Sequence, residues 1–83
     1  MARIIDGEKL NIIGNNVKKS RKKAKMSQQQ LADKLETIAV YICRGSISRI
    51  ESGERTVTDI EIAGLAEVLG VSISDLFDVK NED

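Results

Sequence analysis

The sequence predicts an all-α fold, and three observations support this prediction. The chain has 83 residues, which is the size of one small domain with a modest core. Only Tyr41 and Phe77 are aromatic and proline is absent, whereas strand-rich sandwiches usually draw on aromatic residues and mark their turns with proline. Apolar residues also recur every three or four positions, and capping motifs of the S/T-x-x-E/Q type separate the apolar runs.

The first half of the chain predicts two helices and a loop. We predict the first helix over residues 10–25, where four positions at helical spacing share one face: Ile13, Val17, Arg21 and Ala24. Ser27 and Gln30 form a capping box that opens the second helix. Residues 36–45 contain β-branched residues and end in glycine, so we read them as a loop whose start can carry one extra helical turn.

The second half predicts three shorter helices. Residues 44–52 form the third helix, which Gly53 ends. Capping motifs open the fourth helix, which stops at Gly70, and the last short helix: Thr58 with Glu61, and Ser72 with Asp75. The predicted core is aliphatic throughout: Ile13, Val17, Leu31, Ala32, Leu35, Ile42, Ile47, Ile50, Ile62, Leu65, Ala66 and Leu69.

Residue inventory excludes several classes of function. Cys43 is the only cysteine, so no internal disulfide is available, and we read it as a small, partly buried loop residue. No signal-like segment or long apolar run is present, and we expect a cytoplasmic protein. Histidine is absent, as are metal-ligand spacings and phosphate-binding glycine loops. We therefore expect a binding protein with no metal, cofactor, small-molecule substrate or membrane partner, and not an enzyme.

The net charge of zero conceals a segregation of charge along the chain. Residues 1–55 hold twelve basic and six acidic groups, whereas residues 56–83 hold one basic and seven acidic groups. Within residues 18–25, six of the eight positions are basic. Such clustering favours contact with a polyanion, although a solvated helix face is the alternative interpretation.

Two segments in the middle of the chain carry a family resemblance. Residues 26–32 (Met-Ser-Gln-Gln-Gln-Leu-Ala) and 47–55 (Ile-Ser-Arg-Ile-Glu-Ser-Gly-Glu-Arg) resemble the helix-turn-helix of the Cro/C1-type (XRE, lambda-repressor-like) transcriptional regulators. Residues 13–21 are similar to the first helix of that family, and residues 65–77 are similar to its last two helices. The resemblance implies a compact five-helix lambda-repressor-like DNA-binding domain.

The resemblance also defines domain boundaries and one departure from the family. We expect an N-terminal extension over residues 1–9, the DNA-binding domain over residues 10–77 and an acidic C-terminal tail over residues 78–83. The connection between the second and third helices is several residues longer than is usual in the family. Cys43 stands where relatives commonly have a Ser or Thr cap, which predicts a weaker cap for the third helix.

The resemblance places DNA contacts on the second and third helices. The third helix enters the major groove, where its exposed positions are assigned to base edges: Arg44, Gly45, Ser46, Ser48 and Arg49. Arginine pairs with guanine through two hydrogen bonds and serine bonds either kind of edge; the alternative is that both arginines touch only phosphate. Phosphate contacts are assigned to the start of the second helix and to the end of the third: Ser27, Gln28, Gln29, Arg55 and Thr56.

Two further sets of residues have structural assignments. The family pairs an arginine of the first helix with the glutamate that closes the third, and here Arg21 and Glu51 both fall on otherwise apolar faces. We therefore expect a largely buried ion pair. Near the C-terminus three apolar residues either complete the core or cover a dimer interface: Leu76, Phe77 and Val79.

The predicted function is sequence-specific DNA binding by a transcriptional regulator. We expect a repressor that binds double-stranded DNA at an inverted-repeat operator as a homodimer. We expect no inducer-binding domain in so short a chain, so a regulatory protein partner, oligomerisation or protein level would carry the signal. Two alternatives stay open: an antitoxin of the same fold that masks a toxin, and a helical protein-binding adaptor. Polar and basic residues at the exposed recognition positions speak against the adaptor.

Overall fold

Five α-helices form the fold in the computed structural model, which describes residues 7–78. They are α1 (Gly14–Lys23), α2 (Gln28–Glu36), α3 (Arg44–Ser52), α4 (Asp59–Leu69) and α5 (Ile73–Leu76). No strand occurs in the described range, and the prediction of an all-α fold is confirmed. Within the same range, no helix has the length and apolar character that crossing a membrane requires.

Local sequence signals set most of the helix ends. Ser27 Oγ accepts a hydrogen bond from the Gln30 N–H at 3.0 Å, and Gln30 Oε1 accepts one from the Ser27 N–H at 2.8 Å. The same reciprocal bonding opens the other two predicted capping boxes: Thr58 with Glu61, and Ser72 with Asp75. Helices α3 and α4 end at glycines with left-handed φ angles of 81° and 71°: Gly53 and Gly70. Cys43 makes no side-chain capping bond to α3, as the sequence predicts.

Helix α1 is shorter at both ends than the predicted range of residues 10–25. Its start is set by Asn11, whose Oδ1 accepts the Gly14 N–H at 2.8 Å. Its end is set by Lys25, whose left-handed φ of 60° turns the chain out of the helix. Ala24 is consequently exposed, so it does not share the buried face of Ile13, Val17 and Arg21 as the spacing predicts.

The core lies where α1 to α4 face one another. The buried aliphatic residues are Ile13, Val17, Leu31, Ala32, Leu35, Val40, Ile42, Ile47, Ile50, Leu65, Ala66, Leu69 and Leu76. Val40 and Leu76 join the predicted set, whereas Ile62 is only partly buried and packs against the edge of the core. Helix α3 packs against both α1 and α2, so its inward face is covered from two sides.

The connection between α2 and α3 starts with a tight turn and then alternates in burial. Hydrogen bonds of the i→i+3 type continue α2 through residues 37–39, which corresponds to the predicted extra helical turn. Ala39 closes this turn with a left-handed φ of 63°. Val40 and Ile42 are then buried at 8% and 4% exposure, whereas Tyr41 and Cys43 point outward.

Two buried glycines permit close packing between elements. A Cβ on Gly14 would collide with the carbonyl oxygen of Ile50, so α1 approaches the backbone of α3 directly. A Cβ on Gly64 would lie 2.8 Å from Val40 Cγ2, so the α2–α3 connection is seated on α4 at this glycine. Helix α3 and the connection before it are therefore both held in place by close contacts at a glycine of a neighbouring helix.

We expect Gly14→Ala to lower the free energy of unfolding by about 1–3 kcal/mol, the usual cost of overpacking a well-packed site. The added methyl group meets a backbone oxygen, which cannot rotate away as a side chain can. Urea unfolding measures the change. Gly45→Ala is the matched control, because a Cβ at this position has nothing within 4 Å. Equal unfolding midpoints for Gly14→Ala and wild type would contradict the close approach of α1 to α3.

Candidate nucleic-acid interface

The outward face of α3 is polar and basic. Ile47 and Ile50 turn into the core, and the helical register leaves the opposite positions accessible. Four of the five residues predicted to meet bases are exposed and Ser46 is partly buried: Arg44, Gly45, Ser46, Ser48 and Arg49. The structure thus brings this predicted set together on one helix.

The two arginines on this face are available for an external ligand. Neither the Arg44 nor the Arg49 guanidinium forms a hydrogen bond or an ion pair with any residue of the described range. The two residues are five positions apart, so they point about 140° apart on a helix of 3.6 residues per turn. They are therefore suited to two different sites along a groove rather than to one base pair.

The start of α2 presents polar groups beside α3. Gln28 Nε2 donates to Glu51 Oε1 at 3.0 Å, and Gln29 Nε2 donates to Asp33 Oδ1 at 3.0 Å. An amide nitrogen carries two hydrogens, so each glutamine retains a second donor for a phosphate oxygen. Ser27 is exposed, and its hydroxyl oxygen is already engaged as the cap of α2.

A buried ion pair joins α1 to the end of α3. Arg21 Nε lies 2.7 Å from Glu51 Oε2, and Arg21 Nη2 donates to Glu51 Oε1 at 3.1 Å. The two side chains are only 9% and 3% exposed, and the structure thus brings the predicted partners into direct contact. The third donor, Arg21 Nη1, bonds the Met26 carbonyl at 2.8 Å. Hydrogen bonding to Glu51 raises the pKa of Arg21 above its ordinary value.

Arg55 forms an ion pair within the chain. Its Nη1 and Nη2 donate to the two Glu61 carboxylate oxygens at 3.0 and 2.9 Å, and Nη1 also bonds the Thr56 carbonyl at 2.9 Å. These three bonds leave the Nε hydrogen and one Nη2 hydrogen of the partly exposed guanidinium unused. The ion pair with Glu61 competes with a phosphate contact, and the contact by Arg55 stays a prediction. Thr56 is exposed beside the pair and keeps its hydroxyl accessible.

The residues assigned to a dimer interface have different surroundings. Leu76 has 0% exposure and belongs to the core of the monomer, so its assignment to an interface is wrong. Phe77 is exposed, as are Ile60 of α4 and Ile73 of α5. Val79 lies outside the described residues, as do residues 1–6 of the predicted extension and residues 79–83 of the predicted tail.

Asn11 is a structural residue that the sequence reasoning missed. Its Nδ2 donates to the Ile50 carbonyl at 3.0 Å and to the Arg55 carbonyl at 2.8 Å, while its Oδ1 caps α1. One side chain therefore fixes the start of α1 to the end of α3. The sequence pattern did not signal this role, because the residue directly before α1 is Ile13, which makes no side-chain capping bond.

Cys43 is exposed, not partly buried as predicted, because it falls on the outward side of the alternating segment. Its Sγ lies 3.5 Å from Ser46 Oγ, and hydrogen bonding with Ser46 lowers the pKa of the thiol. In residues 7–78, no group of three or more carboxylate, histidine or cysteine side chains is arranged to hold a metal ion.

The fold and this surface define a DNA-binding protein of the helix-turn-helix class. A family model described as helix-turn-helix matches residues 17–76. The control protein C.MunI of Mycoplasma sp is 34% identical over 71 residues, which span 83% of this chain and 89% of that protein. The crystal structure of the restriction-modification controller protein C.AhdI of Aeromonas hydrophila matches with a TM-score of 0.69 at 26% identity, covering 78% of this chain and 87% of that one.

The chain belongs to the helix-turn-helix family, and the resemblance to Cro/C1-type regulators is confirmed. It is a DNA-binding transcription regulator.

We expect Glu51→Gln to lower the free energy of unfolding by about 3–5 kcal/mol, because Arg21 would be left as a buried cation without its counter-charge. Chemical denaturation at neutral pH measures the loss. Glu54→Gln is the control, since Glu54 is an exposed glutamate just beyond the same helix. If the two variants unfold at the same midpoint, the Arg21–Glu51 pair contributes no more than a surface contact.

The Glu61–Arg55 pair predicts a dependence of stability on pH. Hydrogen bonds from Arg55 lower the pKa of Glu61 below its ordinary value of 4.5, outweighing desolvation. The stabilisation is therefore complete above that value and is lost as the pH falls through the lowered folded-state pKa.

We expect Glu61→Gln to be less stable than wild type by up to about 1 kcal/mol near neutral pH, and the difference to vanish in strong acid. The substitution leaves an oxygen that can still cap α4, so it isolates the charge. Thermal unfolding across pH measures the effect, and an Arg55→Gln background is the control. A difference that stays constant down to strong acid would assign the effect to packing rather than to charge.

Proposed function

We propose that this protein controls transcription of restriction–modification genes by binding as a homodimer to an inverted-repeat operator and repressing from it. The observation that carries this proposal is the exposed face of α3, where Arg44 and Arg49 have no partner within the described range. One relative is a control protein and the other is a restriction-modification controller protein, which supports restriction–modification genes as the regulated genes.

The proposed mode of DNA binding separates base readout from positioning. Helix α3 lies in the major groove, where Arg44 at its start reaches furthest toward guanine O6 and N7. Arg49 reaches a neighbouring base or the flanking phosphate, and Ser46 and Ser48 bond base edges between them. The start of α2 bonds phosphate through the free amide hydrogens of Gln28 and Gln29.

A homodimer suits both the DNA site and the surface of the chain. One α3 presents too few side chains to define a long site, and a two-fold dimer places two such helices about 34 Å apart, one helical turn of DNA. Exposed apolar side chains on α4, on α5 and just after α5 are available for a subunit contact: Ile60, Ile73 and Phe77. The protein acts in the cytoplasm, and a regulatory protein partner would relieve or reinforce binding.

Both relatives are controller proteins, which favours a controller over an antitoxin of the same fold. The polar outward face of α3, whose two arginines have no partner in the described range, favours DNA binding over a protein-binding adaptor. Selection of bound sites from random duplex DNA at a stated salt concentration tests the proposal directly. The expected result is a symmetric site, which also occurs upstream of neighbouring restriction–modification genes. Sedimentation with and without that duplex measures the stoichiometry. Recovery of no preferred sequence would contradict the proposal.

We expect Arg44→Ala to weaken binding to the selected site by about 1–3 kcal/mol and to relax selection at one position in each half-site. The two relaxed positions should be symmetric and about one helical turn apart. Repeating the selection with the variant measures this. Lys34→Ala is the control, because it also removes one exposed positive charge, at the far end of α2. If Arg44→Ala weakens selected and random DNA equally, Arg44 contacts phosphate and does not read a base.

A further inference from the structure

Tyr41 points outward from the connection that precedes α3. It is 75% exposed, the highest value among the large apolar side chains of the described residues. Its two neighbours are anchored, since Val40 packs against Gly64 of α4 and Ile42 belongs to the core. The Tyr41 ring is exposed to solvent although both neighbouring residues are buried, so it does not contribute to the packing of the monomer.

The surroundings of Tyr41 place it on the DNA-facing side. Tyr41 lines a shallow groove between the α2 helix and the start of α3, together with Gln29, Arg44 and Ser46. Arg44 and Ser46 are proposed to meet bases, and Gln29 is proposed to meet phosphate. Tyr41 thus lies on the one surface where both kinds of contact are expected.

The chemistry of the side chain selects the kind of contact. The Tyr41 hydroxyl has no hydrogen-bond partner among the described residues, and a phenol is a good neutral donor. Asp33 and Glu36 also line the groove, and carboxylates repel a phosphate. A neutral donor that is 75% exposed is therefore better suited to meet a phosphate than the rest of the groove is.

We propose that Tyr41 is a further DNA-contact residue, whose hydroxyl donates a hydrogen bond to a backbone phosphate oxygen at the edge of the half-site read by α3. This inference rests on the proposed function. The contact fixes the register of α3 on the duplex and reads no base. It releases no counterion of its own, because tyrosine is neutral.

Affinity measurements on Tyr41→Phe test the hydrogen bond. Only the hydroxyl is removed, so the fold is unchanged and thermal unfolding should match wild type. We expect binding to the selected duplex and to a random duplex of the same length to weaken by a similar factor, roughly threefold to tenfold. The dependence of binding on salt should not change. Ile38→Ala is the matched control, an exposed apolar residue on the same connection, and it should bind as wild type. Binding of Tyr41→Phe equal to wild type overturns the proposal.

A second measurement uses the fact that Tyr41 is the only tyrosine in the chain. Wild-type protein grown with 3-fluorotyrosine carries a single fluorine label, whose ¹⁹F resonance should shift when the selected duplex is added to saturation. An unchanged resonance at saturation overturns the Tyr41 contact while the binding itself upholds the proposed function. Failure of wild-type protein to bind any duplex would instead overturn the proposed function, and the Tyr41 contact with it.

Discussion

The buried carboxylate of Glu51 joins α3 to two other helices, α1 and α2. It closes α3, accepts two hydrogen bonds from Arg21 of α1 and accepts a third from Gln28 of α2. Burial strengthens each of these charge-assisted bonds and makes an unpaired charge costly. If α3 rotated or slid against its neighbours, the charge of Glu51 or Arg21 would lose its partner or become exposed to solvent. The outward direction of Arg44 and Arg49 follows from this constraint, together with the close backbone contact at Gly14 and the two hydrogen bonds that Asn11 donates to backbone carbonyl groups.

Much of the fold could be predicted because its signals are local. A capping box occupies four consecutive residues, so the starts of α2, α4 and α5 are readable without knowledge of tertiary structure. Helix α1 was predicted too long for a physical reason. Its start depends on Asn11, whose amide bonds carbonyl groups about forty positions away, and its end depends on Lys25 in a left-handed conformation that favours glycine. Neither feature is visible in the spacing of apolar residues.

The candidate site divides in the same way. The polar face of α3 follows from helical register once Ile47 and Ile50 are assigned to the core. The sequence pattern does not reveal a pairing when a residue has two partners or when its partner is distant along the chain. Glu61 already has a role as the partner of Thr58 in a capping box, and its second role toward Arg55 appears only when the chain between them is folded. Leu76 reads equally well as core or interface in one dimension, and only burial distinguishes the two.

The alternation of buried and exposed residues at positions 40–43 decides where this chain tolerates changes of length. A residue added in the exposed turn before Val40 would lengthen a surface loop, which costs little free energy. A residue added between Val40 and Cys43 would reverse the inward and outward directions of the side chains that follow, because neighbouring positions in an extended segment face opposite sides. It would move Tyr41 or Ile42 to the wrong side. Natural variation in the length of this connection should therefore accumulate on the α2 side of Val40, leaving the approach to α3 unchanged.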